Sequence, residues 1–339
     1  MTTRNPFDTP AKRAVREQWN TPLLSFLNQR YGYRFRYMGL PGVELLDVKL
    51  WRGMIDEVIA FETVADPTKE DLEGRRNIVA LRRNLRVLGI PGRAFFGPME
   101  EVVTLRQDYD GARYEPDKVI TLYNLDFCDE ISSRIATRER GVQLWRFEAI
   151  RQILRDQRES FQHFGGPRFF IMLLTVRDQI NADRLRGFLS RNLYGDAETF
   201  LQACGGIGSL PPNGALVGTH PWALKCFIHN TLRQFLANPN ISTVFFPLLR
   251  YQGTRVRTGE GFLESPMLHW MLLCRFDEPH TPTPSFLPTN YLANVSSVAV
   301  TTAGALQWQT QRGETAATGV VPISSQWLNN AAPNFLGAP

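Results

Sequence analysis

Three short runs in this sequence carry residue types that can do chemistry. Gly39-Leu40-Pro41-Gly42 sets two glycines in a tight turn. Glycine lets a backbone come close to a ligand or adopt dihedrals closed to other residues. Glu62 lies ~20 residues further on, the separation at which an acid reaches ribose hydroxyls in dinucleotide sites. Asp126-Phe127 joins an acceptor for an amino group to a ring that can stack on a base. Cys128 beside them reads as a buried thiol, because no Pro-Cys pattern marks it as a nucleophile.

Other candidate runs are weaker. Gly205-Gly206-Ile207-Gly208 has neither a preceding strand nor a following Gly-Lys-Ser/Thr, so it reads as a flexible loop and not a phosphate cradle. The histidines are scattered without metal-ligand spacing, and His269 reads as a packed strand residue. The segment Tyr31 to Tyr37 interleaves aromatic and basic residues, and one aromatic face of a strand is favoured over a grip on nucleic acid. The arginines at 75, 76, 82, 83 and 86 read as a solvated helix face.

The elements that must position these residues alternate. Strands are expected over 34–40, 57–62, 93–96, 119–125 and 169–176, and helices over 44–51, 70–88, 141–164 and 222–237. The strand at 169–176 is apolar but for Thr175, as befits a strand covered on both faces. Strands over 243–251 and 267–276, joined by a polar loop, predict an antiparallel hairpin. Residues 1–12 read as a flexible lead, and Asn20-Thr21-Pro22 is expected to break the following helix in two. Beyond Pro279 the chain turns neutral and rich in Thr, Ser, Asn and Pro, with one possible strand near 298–307. This predicts a helical lead over 1–30, an α/β domain over 31–279 and a polar extension over 280–339.

A hydrophobic share of 43% argues against bulk disorder. The net charge of +5 leans towards an anionic partner. The opening segment has no apolar stretch of a secretory signal, no run reaches the ~18 residues of a membrane span, and the dispersed cysteines suggest reduced thiols. A cytoplasmic protein is the expectation.

With this element order and these strand ends, residues ~30–277 resemble the class I S-adenosylmethionine-dependent methyltransferases. The resemblance implies a Rossmann-like sheet of mostly parallel strands with a final antiparallel strand, in three layers. It implies S-adenosylmethionine held by Gly39, Leu40, Pro41 and Gly42, with Glu62 on the ribose and Met99 and Glu100 flanking the adenine. It implies Asp126 and Phe127 at the reacting end, where relatives that methylate base amino groups carry an acid or amide, two prolines and an aromatic. Here both prolines are missing, and so is the family's three-glycine pattern. The implied function is methyl transfer, a base amino group of DNA or RNA being the favoured acceptor. The alternative is an inactive scaffold of the same fold that binds nucleic acid, or a protein partner through the C-terminal extension. A different nucleotide-using α/β enzyme is disfavoured by the terminal hairpin.

Overall fold

The computed structural model describes residues 8–62, 72–178 (apart from 128, 132, 140 and 141), 241–258 and 261–276. It also describes the short pieces 297–300, 306–309, 315–317 and 332–336, and single positions at 228, 232, 236 and 328. Cys128 and the glycines at 205–208 lie outside the described residues.

Chain order begins with α1 (Pro10–Ala14), a π-helical segment (Val15–Asn20) and α2 (Thr21–Tyr31). There follow β1 (Phe35–Gly39), α3 (Leu46–Leu50), β2 (Ile55–Glu62), α4 (Leu72–Leu88), β3 (Gly92–Phe96) and α5 (Met99–Leu105). Next come β4 (Leu122–Asp126), a small hairpin of β5 (Arg134–Ala136) and β6 (Gln143–Trp145), α6 (Arg146–Phe164) and β7 (Phe169–Arg177). The later strands are β8 (Ile241–Phe245), β9 (Leu248–Thr258), β10 (Gly261–Phe276), β11 (Ser297–Val300), β12 (Leu306–Gln309) and β13 (Thr315–Ala317), before α7 (Ala332–Leu336).

Strands β3-β2-β1-β4-β7 run parallel, and β10 joins β7 antiparallel. On the far side of β10, β8 and β9 pair with its two halves in turn, as the expected hairpin partner. The chain steps outward in opposite directions from β1 and β4, so the crevice between their carboxyl ends is the topological switch point, where open α/β sheets bind ligands.

Alternation along the strands supplies both cores. Tyr37 and Val58 face a layer built from α1, α2 and α4, whereas Met38 and Ile59 face α5 and α6. The result is the expected three-layer, mostly parallel α/β sheet with an antiparallel final pair. The helical positions Ile228, Leu232 and Leu236 are buried in the α5–α6 layer.

Several expectations are corrected. The helical path runs from Pro10 to Tyr31 without a break. Pro22 sits in the first turn of α2, and the preceding π-helical segment, in which Thr21 N–H reaches back to Arg16 O, re-registers the ladder around the donor it lacks. Residues 9–12 are not a loose lead: Thr9 caps α1 through its hydroxyl and Lys12 is buried. The long helix starts at Arg146, because residues 143–145 pair with 134–136. Beyond residue 280 the sheet continues, with β11 beside β9 and β12 and β13 beyond it. Arg34 precedes β1 and pairs with Asp56, and Arg36 reaches from within β1 towards Glu57. Tyr33, Phe35 and Tyr37 pack inward, with Tyr33 edge-on to Phe35, so this run is structural.

Candidate functional site

The switch point holds a tight polar cluster. Its floor is the carboxyl end of β4, where Asn124 and Asp126 sit on either side of Leu125. A parallel strand closes its ladder only up to its last residue, so the next side chains project into the crevice. Asp126 Oδ2 accepts from Lys12 Nζ at 3.1 Å, whereas its Oδ1 is buried with no hydrogen-bond partner among the described residues. Asn124 Nδ2 donates to Asp47 Oδ2 at 2.6 Å and to the Tyr37 hydroxyl at 3.1 Å.

The opposite wall is the N-terminal helical path. Lys12, Arg16 and Asn20 recur at four-residue intervals, so one stripe of the helix lies on the strand ends. Arg16 Nε meets Asp47 Oδ1 at 2.9 Å and its other arm meets Asp8 at 2.8 Å. Asn20 Oδ1 lies 2.9 Å from His269 Nε2, and Thr175 Oγ1 lies 2.8 Å from His269 Nδ1. With Asn20 presenting its carbonyl oxygen, the single proton of a neutral imidazole sits on Nε2, and Nδ1 accepts from the threonine. His269 stands here because β10 runs antiparallel to β7 and sets it opposite Thr175.

The electrostatics follow from burial. Removal from water pushes His269 down to about 4, against the attraction of Asp126. Burial raises the Asp47 carboxyl above its ordinary range, with Arg16 opposing. The Tyr37 hydroxyl is pushed well above its usual value by burial and then by Asp47. Three carboxylates, Asp8, Asp47 and Asp126, meet three cations, Lys12, Arg13 and Arg16, so the cluster is close to balanced. It encloses a cavity of about 30 Å³, lined by residues including Lys12, Asp47, Asp126 and His269, room for a water molecule or two. A larger groove of about 450 Å³ lies over Leu105–Gln107 and Arg113–Pro116 and shares no residue with the cluster.

The structure brings only some of the expected residues together. Gly39 is the last residue of β1, and an added Cβ would lie 2.1 Å from the carbonyl oxygen of Asn124. Its glycine is thus required by the neighbouring strand. Leu40 donates its N–H to that same oxygen at 3.1 Å, and Pro41 is buried beneath the turn. Gly42 adopts φ 63°, and a Cβ there would meet nothing within 4 Å, so this backbone borders open space. Glu62 ends β2, partly exposed, with Oε1 accepting from Asn77 at 3.3 Å.

The rest turn away. Met99 opens α5 and is fully buried in the core. Glu100 is buried and paired with Arg146 at 3.0 Å. Phe127 is 3% exposed, with the Arg146 guanidinium over its ring at 5.0 Å. Sequence reasoning missed Lys12, Arg16, Asn20, Asp47 and Thr175. The signal for the first three was a polar side chain every fourth residue beside Ala11, Val15 and Trp19.

No protein-family model matches this chain, and no curated protein matches it. Among solved structures it is similar to a precorrin 8w decarboxylase of Methanobacterium thermoautotrophicum, with 13% identity over 80% of this chain and 94% of that one and a TM-score of 0.30. A SAM-dependent methyltransferase of Agrobacterium tumefaciens matches with 10% identity over 78% of this chain and 62% of that one, TM-score 0.35. An rRNA methylase of Streptococcus thermophilus matches with 9% identity over 76% and 95%, TM-score 0.30. Strand order and direction give the fold. Among the described residues, no helix is long and apolar enough to cross a membrane.

Proposed function

We propose that this protein is an S-adenosylmethionine-dependent methyltransferase acting on nucleic acid, with a base amino group as acceptor. The observation that carries the reading is Oδ1 of Asp126 at the end of β4, buried and without a hydrogen-bond partner among the described residues, beside the switch point of the sheet. A buried acceptor without a donor costs about 1–3 kcal/mol, which an incoming N–H would relieve. The net charge of +5 suits a polyanion.

The residues present fit the cofactor. Gly42 borders open space, and Glu62 offers a carboxylate at the end of β2 for the ribose. Leu40 and Pro41 carry the turn between Gly39 and Gly42. When bound, the cofactor supplies an electrophilic methyl group. The chain's own residues orient the acceptor. Asp126 Oδ1 would accept a hydrogen bond from the amino group, which orients the nitrogen and sets a carboxylate where the proton shed on methylation can go. Lys12 keeps Oδ2 occupied and holds the carboxylate in place. Phe127, packed under Arg146, supports this loop from below.

A second reading has an observation of its own. Lys12, Arg16 and Asn20 tie the N-terminal helical path across the strand ends, over a cavity of about 30 Å³. A chain held permanently so would be a scaffold without catalysis. Calorimetric titration with S-adenosylmethionine, repeated with Glu62→Ala, separates the two. Micromolar binding that is lost in the variant, followed by transfer of labelled methyl to RNA or DNA, supports the enzyme. A folded protein that binds no cofactor refutes it and leaves the scaffold.

A further inference from the structure

Helix α4 buries Gly74, Ile78, Leu81 and Leu85 against the sheet. The side facing directly away from them is not the uniformly charged surface of an ordinary solvated helix. Leu72, Val79 and Val87 stand 62%, 64% and 75% exposed, among the most exposed large apolar side chains described. Arg76, Arg83 and Arg86 are exposed between them. At about 100° per residue these six side chains fall within one arc of roughly 100°. Single exposed aliphatics are commonplace, but three aligned on one stripe mark a surface that loses apolar area when covered.

The spacing says what covers it. Leu72, Arg76, Val79, Arg83 and Arg86 follow one another by four, three, four and three residues, the d-a-d-a-d seam of a heptad repeat. Arginine occupies both a positions. No acid lies in the arc, and none of these three arginines has an ion-pair partner among the described residues. The carboxylates of Asp108 and Asp110 are taken by Arg75 and Arg82 on the flank. A second copy of α4 laid on this seam would set arginine against arginine, so self-association is disfavoured. A nucleic-acid backbone would meet the charges and leave Leu72, Val79 and Val87 bare.

We infer that the outer face of α4 is a docking seam for an acidic amphipathic helix of a partner protein. That helix sets carboxylates against Arg76 and Arg83 and aliphatic side chains against Leu72 and Val79. The seam spans about 21 Å, the length of two heptads. It is independent of the site at the strand ends, so cofactor binding and docking can be lost separately.

The test uses two synthetic helical peptides of about three heptads, with leucine at d and either glutamate or lysine at a. Fluorescence anisotropy follows their binding to the full chain and to Arg76→Glu/Arg83→Glu, with circular dichroism confirming that the exposed substitutions leave the fold intact. The expected result is micromolar binding of the glutamate peptide and at least about tenfold weaker binding of the lysine peptide, with the preference reversed in the variant. Absence of binding by both peptides overturns the inference, as does a preference unchanged in the variant. Duplex DNA or phosphatidylserine vesicles binding in place of the peptide, and released by the same substitutions, also overturns it and assigns the face to a polyanion or a lipid surface.

Discussion

Lowering the pH from about 7.5 to about 5 is expected to cost this protein about 2 kcal/mol through one side chain, His269. Its imidazole is buried and neutral, with burial pushing it down to about 4 from an ordinary 6.5. In the unfolded chain the ring takes up a proton as the pH falls through 6.5, whereas in the folded chain it stays neutral until about 4. Between those values the unfolded state binds more protons, so stability falls as pH falls. The full stabilisation is present above 6.5 and lost progressively below it. The whole interval corresponds to about 3 kcal/mol, and about 2 of that is spent by pH 5. Burial is why the ring does not charge: the Thr175 hydroxyl could turn to accept from a protonated Nδ1, but the charge itself would stand out of water.

The assay is urea denaturation of wild type and His269→Gln at the two pH values. Other groups titrate in both proteins, so the informative quantity is the difference in pH-dependence between them. Wild type should lose about 2 kcal/mol more than the variant over this interval. Nuclear magnetic resonance adds a direct check, since the His269 ring protons should keep their neutral shift down to about pH 5. Equal losses in the two proteins, or a ring that titrates near 6.5, would refute the reasoning.

Two further outcomes follow from the cluster. Lys12→Met and Asp126→Asn should each destabilise by about 1–3 kcal/mol, less than for a fully buried pair because the Asp126 side chain keeps 27% exposure. A double-mutant cycle by thermal melting should give a coupling of about 1–2 kcal/mol, and additive singles would show that the pair is idle. Gly39→Ala should cost about 3 kcal/mol, because its Cβ would lie 2.1 Å from main chain that cannot rotate aside. Gly42→Ala, in open space at φ 63°, should cost about 1 kcal/mol, so equal denaturation midpoints for the two variants would contradict the distinct roles given to these glycines.

Much of the α/β domain was legible because its strands are short and apolar and its helices amphipathic. Phe169 to Val176 could be little else than a covered strand, and the spacing of Ile78, Leu81 and Leu85 places α4. What was hidden is either too short to carry a period or depends on partners far away in the chain. Strands β5 and β6 are three residues each, too short for any period to register. Strands β11 to β13 are three or four residues each, so the apolar run near 298–307 read as one strand and not as two that pair with each other. The site was half legible for the same reason. Asp126 and Glu62 were found because they end apolar runs. Lys12 is charged and near the start of the chain, and nothing local shows that it pairs across 114 residues. Met99, Glu100 and Phe127 were placed by position after a strand end, but position alone does not say whether a side chain turns to the crevice or to the core.

The enzyme and scaffold readings differ in one physical quantity, the free energy of moving the N-terminal helical path off the strand ends. Breaking its contacts exposes two ion pairs and a buried histidine, and the apolar seat of Ala11, Val15 and Trp19 must also be vacated. Lost together these contacts would cost several kcal/mol, and each 1.4 kcal/mol weakens a competing ligand about tenfold. A cofactor seated towards Gly42 and Glu62 need not displace the helix, whereas an acceptor reaching Asp126 Oδ1 must pass it or enter beside it. If the enzyme reading proposed above holds, cofactor affinity measured by calorimetry should be indifferent to Lys12→Met while the affinity for an oligonucleotide acceptor changes; equal effects on both would contradict it.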